Sequence, residues 1–192
     1  MQHSKRRIRR RQPCQITMPF VLQIVGYKNS GKTTLISRLL ELILKQGIQA
    51  AIIKHDAHGF EMDHPGTDTY KLRTAGAHAV AITSSSGTAV LEEGEQSLEE
   101  LISRFAAYDV VLVEGFKEAS YPKWVMIRQS GDIELLYRLR NVRAAVWWDS
   151  KVFHHHSEHQ HGHQPSALSF RLDDMSAMEK WLLCQLHGRQ RE

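Results

Sequence analysis

The stretch from Phe20 to Thr34 constrains this chain more than any other. Phe20 to Val25 is a short apolar run suited to a buried parallel strand. Gly26 then opens Gly-x-x-x-x-Gly-Lys-Thr, and Leu35, Ile36, Leu39, Leu40 and Ile43 recur at helical spacing behind it. A strand, a glycine-framed loop and a helix in that order form the context that gives a P-loop its chemistry. Gly26 and Gly31 permit backbone angles at which successive N–H groups turn inward to cradle phosphate oxygens. The unpaired amides and dipole of the helix start favour the same anion. Lys32 would reach the terminal phosphates, and Thr33 would offer a hydroxyl to Mg²⁺. Asn29, Ser30 and Thr34 complete the loop. The stretch predicts a nucleotide-binding chain.

The rest of the chain continues the alternation. A helix is expected from about Gly31 to Gln46, ending at Gly47, and a strand over Gln49–Lys54. The polar loop His55–Gly66 follows, then a short helix over Thr67–Ala75, and strands over Ala77–Thr83 and Thr88–Leu91. Ser97 and Glu100 have the spacing of a capping box, with Leu98, Leu101, Ile102 and Phe105 as the apolar face of the next helix. Asp109–Glu114 reads as a buried strand. Trp124–Arg128, Ile133–Leu136, Val142–Trp148 and Leu168–Leu172 are further strand candidates, and a helix beginning near Asp173 closes the pattern. Apolar strands alternating with helices predict an α/β, three-layer P-loop NTPase fold, with a mostly parallel twisted sheet and helices on both faces. One domain is expected over 18–188.

Charge needs to be read by region. Lys5, Arg6, Arg7, Arg9, Arg10 and Arg11 place six positive charges in residues 1–17, which contain no acid and no periodicity. That leader is expected to be disordered. Without it the net charge of +4 becomes −2, so the folded part carries no nucleic-acid-binding signature. Two cysteines, Cys14 and Cys184, are too few for a disulfide framework. No stretch reaches the ~18 apolar residues needed to span a bilayer. The expectation is a cytoplasmic chain without a membrane or nucleic-acid partner.

Ligands in a parallel sheet collect outside the carboxyl ends of the strands, and this ranks the acids. Glu114 ends its strand on the P-loop side and is the candidate Mg²⁺-holding acid together with Thr33. Asp109 begins the same strand about 16 Å away and is expected to start or cap it. Asp56, two residues past the second strand, is a candidate to face phosphate, substrate or Mg²⁺. Lys32, Glu114 and Asp56 are thus the candidate catalytic residues. His55, His58 and His64 share a loop with Asp56, Glu61 and Asp63, but no thiol or helical pair fixes a metal geometry there. The His-rich loop 154–164 suits adventitious metal binding. His78, within an apolar strand pattern, is expected to be a core histidine. Asp149 stands where a base-reading acid could sit, and no Asn-Lys-x-Asp guanine motif occurs.

Three segments together resemble one family. They are Gly26–Leu35, the segment Lys54–Ala77 with Asp63-His-Pro-Gly66-Thr-Asp68, and Val113-Glu-Gly-Phe-Lys117. Over roughly residues 20–185 the chain resembles the molybdopterin-guanine dinucleotide biosynthesis adapter proteins, MobB. Thr67 stands where that family has lysine. The resemblance implies a GTP- and Mg²⁺-binding, commonly homodimeric protein with weak GTPase activity. It would assist the molybdenum cofactor guanylyltransferase that joins GMP to molybdopterin, with molybdopterin itself a candidate ligand. It assigns Gly31, Lys32 and Thr33 to phosphate and Mg²⁺, and makes His55, Asp63, Gly66 and Asp68 signature positions. From the residues alone, a P-loop small-molecule kinase or ATP-dependent ligase is the alternative. Lys117, Lys123 and Arg73 would then be its candidate phosphate clamps. A metal-handling GTPase working through the histidine loop is the third reading.

Overall fold

The computed structural model describes residues 18–56, 59–148 and 167–188. The leader 1–17, His58, Asp149 and the histidine loop 154–164 lie outside the described residues. Within them the chain groups into two compact units, one from residues up to His55 together with those from Leu98 onward, the other Asp56–Ser97.

The first unit is built on a six-stranded sheet. Its strands are β1 (Phe20–Val25), β2 (Ala50–Lys54), β5 (Val110–Glu114), β6 (Lys123–Ile127), β7 (Val142–Trp147) and β8 (Leu168–Arg171). They lie in the order β2-β5-β1-β6-β7-β8, and every neighbouring pair is parallel. All residues of β1, β5 and β6 are buried, as expected for strands covered on both faces. Alternation along β1 divides the packing. Leu22 and Ile24 join Leu35, Ile36, Leu39 and Ile43 of α1 (Lys32–Lys45) and Met178, Leu182 and Leu186 of the last helix, Met175–Gly188. Val21 faces Leu98 and Ile102 of α3 (Leu98–Arg104), while Val25 meets Leu135, Leu136 and Leu139 around α4 (Glu134–Arg138). Helices therefore cover both faces of a parallel sheet, the three-layer α/β architecture predicted from the sequence.

Helix α1 ends as its glycine foretold. Gly47 has φ +76°, and the N–H groups of Gly47 and Ile48 close on the carbonyls of Leu44 and Ile43, a Schellman-type stop. Asp109 sits at the start of β5 and accepts from the N–H of Gln49 at 2.8 Å, the structural role expected of it.

One strand candidate is corrected. Ile133–Leu136 is not a strand: a 3₁₀ turn, Ser130–Ile133, runs into α4. Buried Asp132 accepts from the N–H groups of Arg128 and Gln129 at 2.8 and 3.1 Å, and that cap starts the turn. Leu135, Leu136 and Leu139 then share one helical face, a periodicity too short to separate from a strand by pattern alone.

The second unit holds α2 (Asp68–Thr74) and an antiparallel hairpin of β3 (Ala79–Thr83) and β4 (Thr88–Glu92). Thr67 caps α2, its hydroxyl accepting from the N–H of Tyr70 at 3.2 Å.

Candidate functional site

The loop after β1 is shaped before any ligand is considered. A Cβ at Gly26 would come 2.6 Å from Ser30 Oγ and 2.9 Å from Met126 Cβ, so only glycine fits under the loop. Gly31 has φ +82° and precedes α1 without any side-chain cap hydrogen bond. The first N–H groups of α1 have no intrahelical acceptors, and the first turn carries no acid but begins with Lys32. A cation at this end opposes the helix dipole; a bound anion would reconcile the two. Ser30 Oγ is buried in the loop with no hydrogen-bond partner among the described residues.

Lys32 folds back so that Nζ donates to the Tyr27 carbonyl at 2.8 Å. Burial holds its ammonium below the usual lysine pKa; Glu114 opposes that shift, while Lys117 and Lys54 add to it. The parallel sheet brings Glu114 to the same edge as the loop, since Ile24 of β1 is its register partner. Thr33 Oγ1 donates to Glu114 Oε2 at 2.8 Å, and Lys54 Nζ approaches Glu114 Oε1 at 3.4 Å. Lys54 thus contacts the buried carboxylate, and Lys32 lies close enough to Glu114, Lys117 and Lys54 to feel their charges. The local excess of positive charge suits a polyanion.

Several residues of the site carried no motif. Arg128, just past β6, donates from Nη1 to the Asn29 carbonyl at 2.8 Å. Trp148, just past β7, donates from Nε1 to the Ser30 carbonyl at 2.9 Å, and the Arg128 guanidinium lies over its ring at 5.4 Å. With Lys32 on Tyr27, side chains hold three carbonyls of the loop, and the Ser30 N–H also donates to the Tyr27 carbonyl at 3.3 Å. The Tyr27 hydroxyl donates to Glu134 Oε1, and that hydrogen bond raises the tyrosine pKa. Only the positions of Arg128 and Trp148 at strand ends could have signalled them in the sequence.

Asp56 is exposed and opens the second unit. Within that unit, Asp63 Oδ1 accepts from Thr67 Oγ1 at 2.8 Å and from Thr69 Oγ1 and the His64 N–H at 3.0 Å, with Arg73 Nη1 3.7 Å from Oδ2. Burial alone would raise the Asp63 pKa, but those hydrogen bonds and the arginine hold it below the usual aspartate value. The expectation for His78 is corrected: it is exposed and its Nδ1 lies 3.2 Å from Glu93 Oε2. The strand it precedes, Ala79–Thr83, is itself mostly exposed, so its apolar pattern does not mark a core.

The donor set fits Mg²⁺ accompanied by a nucleotide. Thr33 and Glu114 present adjacent hard oxygens, and Mg²⁺ is commonly held by one or two such protein ligands with phosphate and water completing its shell. Among the described residues, no group of three or more His, Cys, Asp or Glu could hold a metal on its own. No helix among them is long and apolar enough to cross a membrane.

Residues 21–148 match the family described as MobB, molybdopterin guanine dinucleotide synthesis protein B. A probable molybdopterin-guanine dinucleotide biosynthesis adapter protein of Bacillus subtilis is 34% identical over 170 residues, 83% of this chain and 96% of the relative. The crystal structure of Bacillus subtilis MobB superposes with a TM-score of 0.68 at 34% identity, covering 84% of this chain and 95% of that one. The hydrogenase maturation factor HypB of Archaeoglobus fulgidus, at 16% identity and a TM-score of 0.50, covers 88% of this chain and 90% of its own; that likeness is one of fold.

Proposed function

The chain belongs to the MobB family of molybdopterin guanine dinucleotide synthesis proteins, and from that premise we propose that it is a GTP-binding adapter. Its setting is molybdopterin-guanine dinucleotide biosynthesis. There it assists a guanylyltransferase that joins GMP to molybdopterin, working as a homodimer.

The observation that carries the reading is the Thr33–Glu114 hydrogen bond beside the glycine-framed loop. In this reading the loop amides and Lys32 bind the polyphosphate, and Thr33 with Glu114 would hold Mg²⁺, which supplies charge neutralisation between phosphate oxygens. Arg128 and Trp148 fix the loop by donating to its Asn29 and Ser30 carbonyls. Hydrolysis is slow. Both Glu114 oxygens already face donors, Thr33 and Lys54, so the carboxylate is a poor general base. Preference for guanine over adenine rests on the family alone.

Calorimetric titration of GTP and ATP with and without Mg²⁺, paired with guanylyltransferase-dependent cofactor assembly, tests the proposal. We expect GTP binding that needs Mg²⁺ and stimulation of assembly by the adapter. Equal affinity for both nucleotides together with no effect on assembly would defeat it.

A further inference from the structure

We propose that Lys117 is a second phosphate-binding lysine, contacting the terminal phosphate of a bound nucleoside triphosphate. The inference deepens the nucleotide-binding reading and rests on it.

Two polar residues occupy sheet-core positions where apolar side chains are expected. Gln23 of β1 and Lys123 of β6 are register partners, and both are wholly buried. Burying an amide and an ammonium is costly unless their hydrogen bonds are made. Both spend their donors on the loop between β5 and β6, while Gln23 Oε1 has no partner among the described residues. Gln23 Nε2 donates to the carbonyls of Gly115 and Phe116 at 3.1 and 2.7 Å, and Lys123 Nζ donates to those of Lys117 and Ala119, the former at 2.7 Å. Four carbonyls within five residues are thereby drawn inward.

The loop also accepts unusual backbone angles. Gly115 has φ +100° and Phe116, which has a Cβ to accommodate, has φ +50°. Phe116 is held there by its ring, 4.6 Å from that of His55. Non-glycine residues in the left-handed region persist where surrounding contacts over-determine them.

What this apparatus presents is Lys117. Its ammonium lies 4.4 Å from the ring centroid of Tyr27, the second residue of the phosphate loop, and near enough to Lys32 to repel its charge. The segment carrying it starts at Glu114, the acid beside Thr33. Lys117 thus stands beside the phosphate loop, on a segment that leads directly from the acid paired with Thr33. A cation–π contact is weaker than a charge-assisted hydrogen bond, so the ammonium can exchange the Tyr27 ring for a phosphate oxygen.

The test compares GTP with GDP by calorimetry in Mg²⁺, using the full chain and its Lys117→Ala and Lys117→Arg variants. For Lys117→Ala we expect GTP affinity to fall about tenfold or more, the scale of one charge-assisted hydrogen bond, with GDP affinity little changed. Lys117→Arg should keep most of the discrimination. Equal losses for the two nucleotides, or no loss for either, would overturn the inference while leaving nucleotide binding intact. A wild-type chain that binds neither nucleotide overturns the underlying reading instead.

Discussion

Thr33 Oγ1 donates to Glu114 Oε2 at 2.8 Å, joining the first turn of α1 to the end of β5 across 81 residues of sequence. Hydroxyl and carboxylate are thereby set side by side, the two oxygens that would hold Mg²⁺ under the proposed function. For Glu114→Gln we expect the Mg²⁺-dependent part of nucleotide affinity to fall by about tenfold or more, since the amide keeps the shape but loses the charge. Titrations with and without Mg²⁺ check this; an unchanged metal dependence would remove Glu114 from the site.

Lys32 spends its ammonium on the Tyr27 carbonyl and contributes nothing to the apolar cores. Lys32→Ala should abolish measurable nucleotide binding while the thermal unfolding midpoint stays within a few degrees of wild type. Loss of the folded circular dichroism signal would show that the residue has been misread as a ligand.

Gly31 and Trp148 are coupled through space. A Cβ on Gly31 would come 2.6 Å from Trp148 Cζ2, at a φ of +82° that disfavours any side chain. Gly31→Ala should cost at least about 1–2 kcal/mol from the left-handed backbone alone, and more with the indole present. In a Trp148→Ala background the cost should shrink, giving a coupling of about 1 kcal/mol in a double-mutant denaturation cycle. Strict additivity would separate the two residues.

Lys123→Met replaces the buried ammonium with a side chain of similar length and leaves the Lys117 and Ala119 carbonyls without their donor. We expect a loss of roughly 1–3 kcal/mol in stability, the penalty of unsatisfied buried acceptors. Faster amide exchange should be localised to residues 115–120. Uniform acceleration across the sheet would contradict a local role.

Asp63 links pH to the second unit. Its folded-state pKa is lowered, so its contribution to stability is present above the ordinary aspartate value of 3.8 and is lost as pH falls through the depressed one. Amide exchange of residues 63–74 should quicken over that acid range. Asp63→Asn should remove most of the pH dependence there; an unaltered profile would assign the acid response elsewhere.

Much of this was legible in the chain. The apolar run Phe20–Val25, the glycines at 26 and 31 and the spacing Leu35, Ile36, Leu39, Ile43 each carry local physics, and each element formed where that physics placed it. Glu114 could be set above Asp109 because a parallel sheet puts all strand ends of one kind on one edge, and the register pairs Glu114 with Ile24 beside the loop. That Ile133–Leu136 is a 3₁₀ turn running into α4 was not legible, because four apolar-rich residues satisfy either period and the deciding cap, Asp132, acts through the backbone of Arg128 and Gln129.

What the sequence by itself determined is therefore the phosphate loop, the parallel α/β layering and the family, all encoded in short-range pattern and motif. Only the tertiary structure decided that Arg128 and Trp148 hold the Asn29 and Ser30 carbonyls of the loop, and that buried Gln23 and Lys123 bind carbonyls of the 115–119 segment, which sets Lys117 over Tyr27. Those contacts join residues as far as 118 positions apart. Their energies come from satisfying buried donors and acceptors, which depends on where the folded chain brings them together and leaves no periodic trace in the residues themselves.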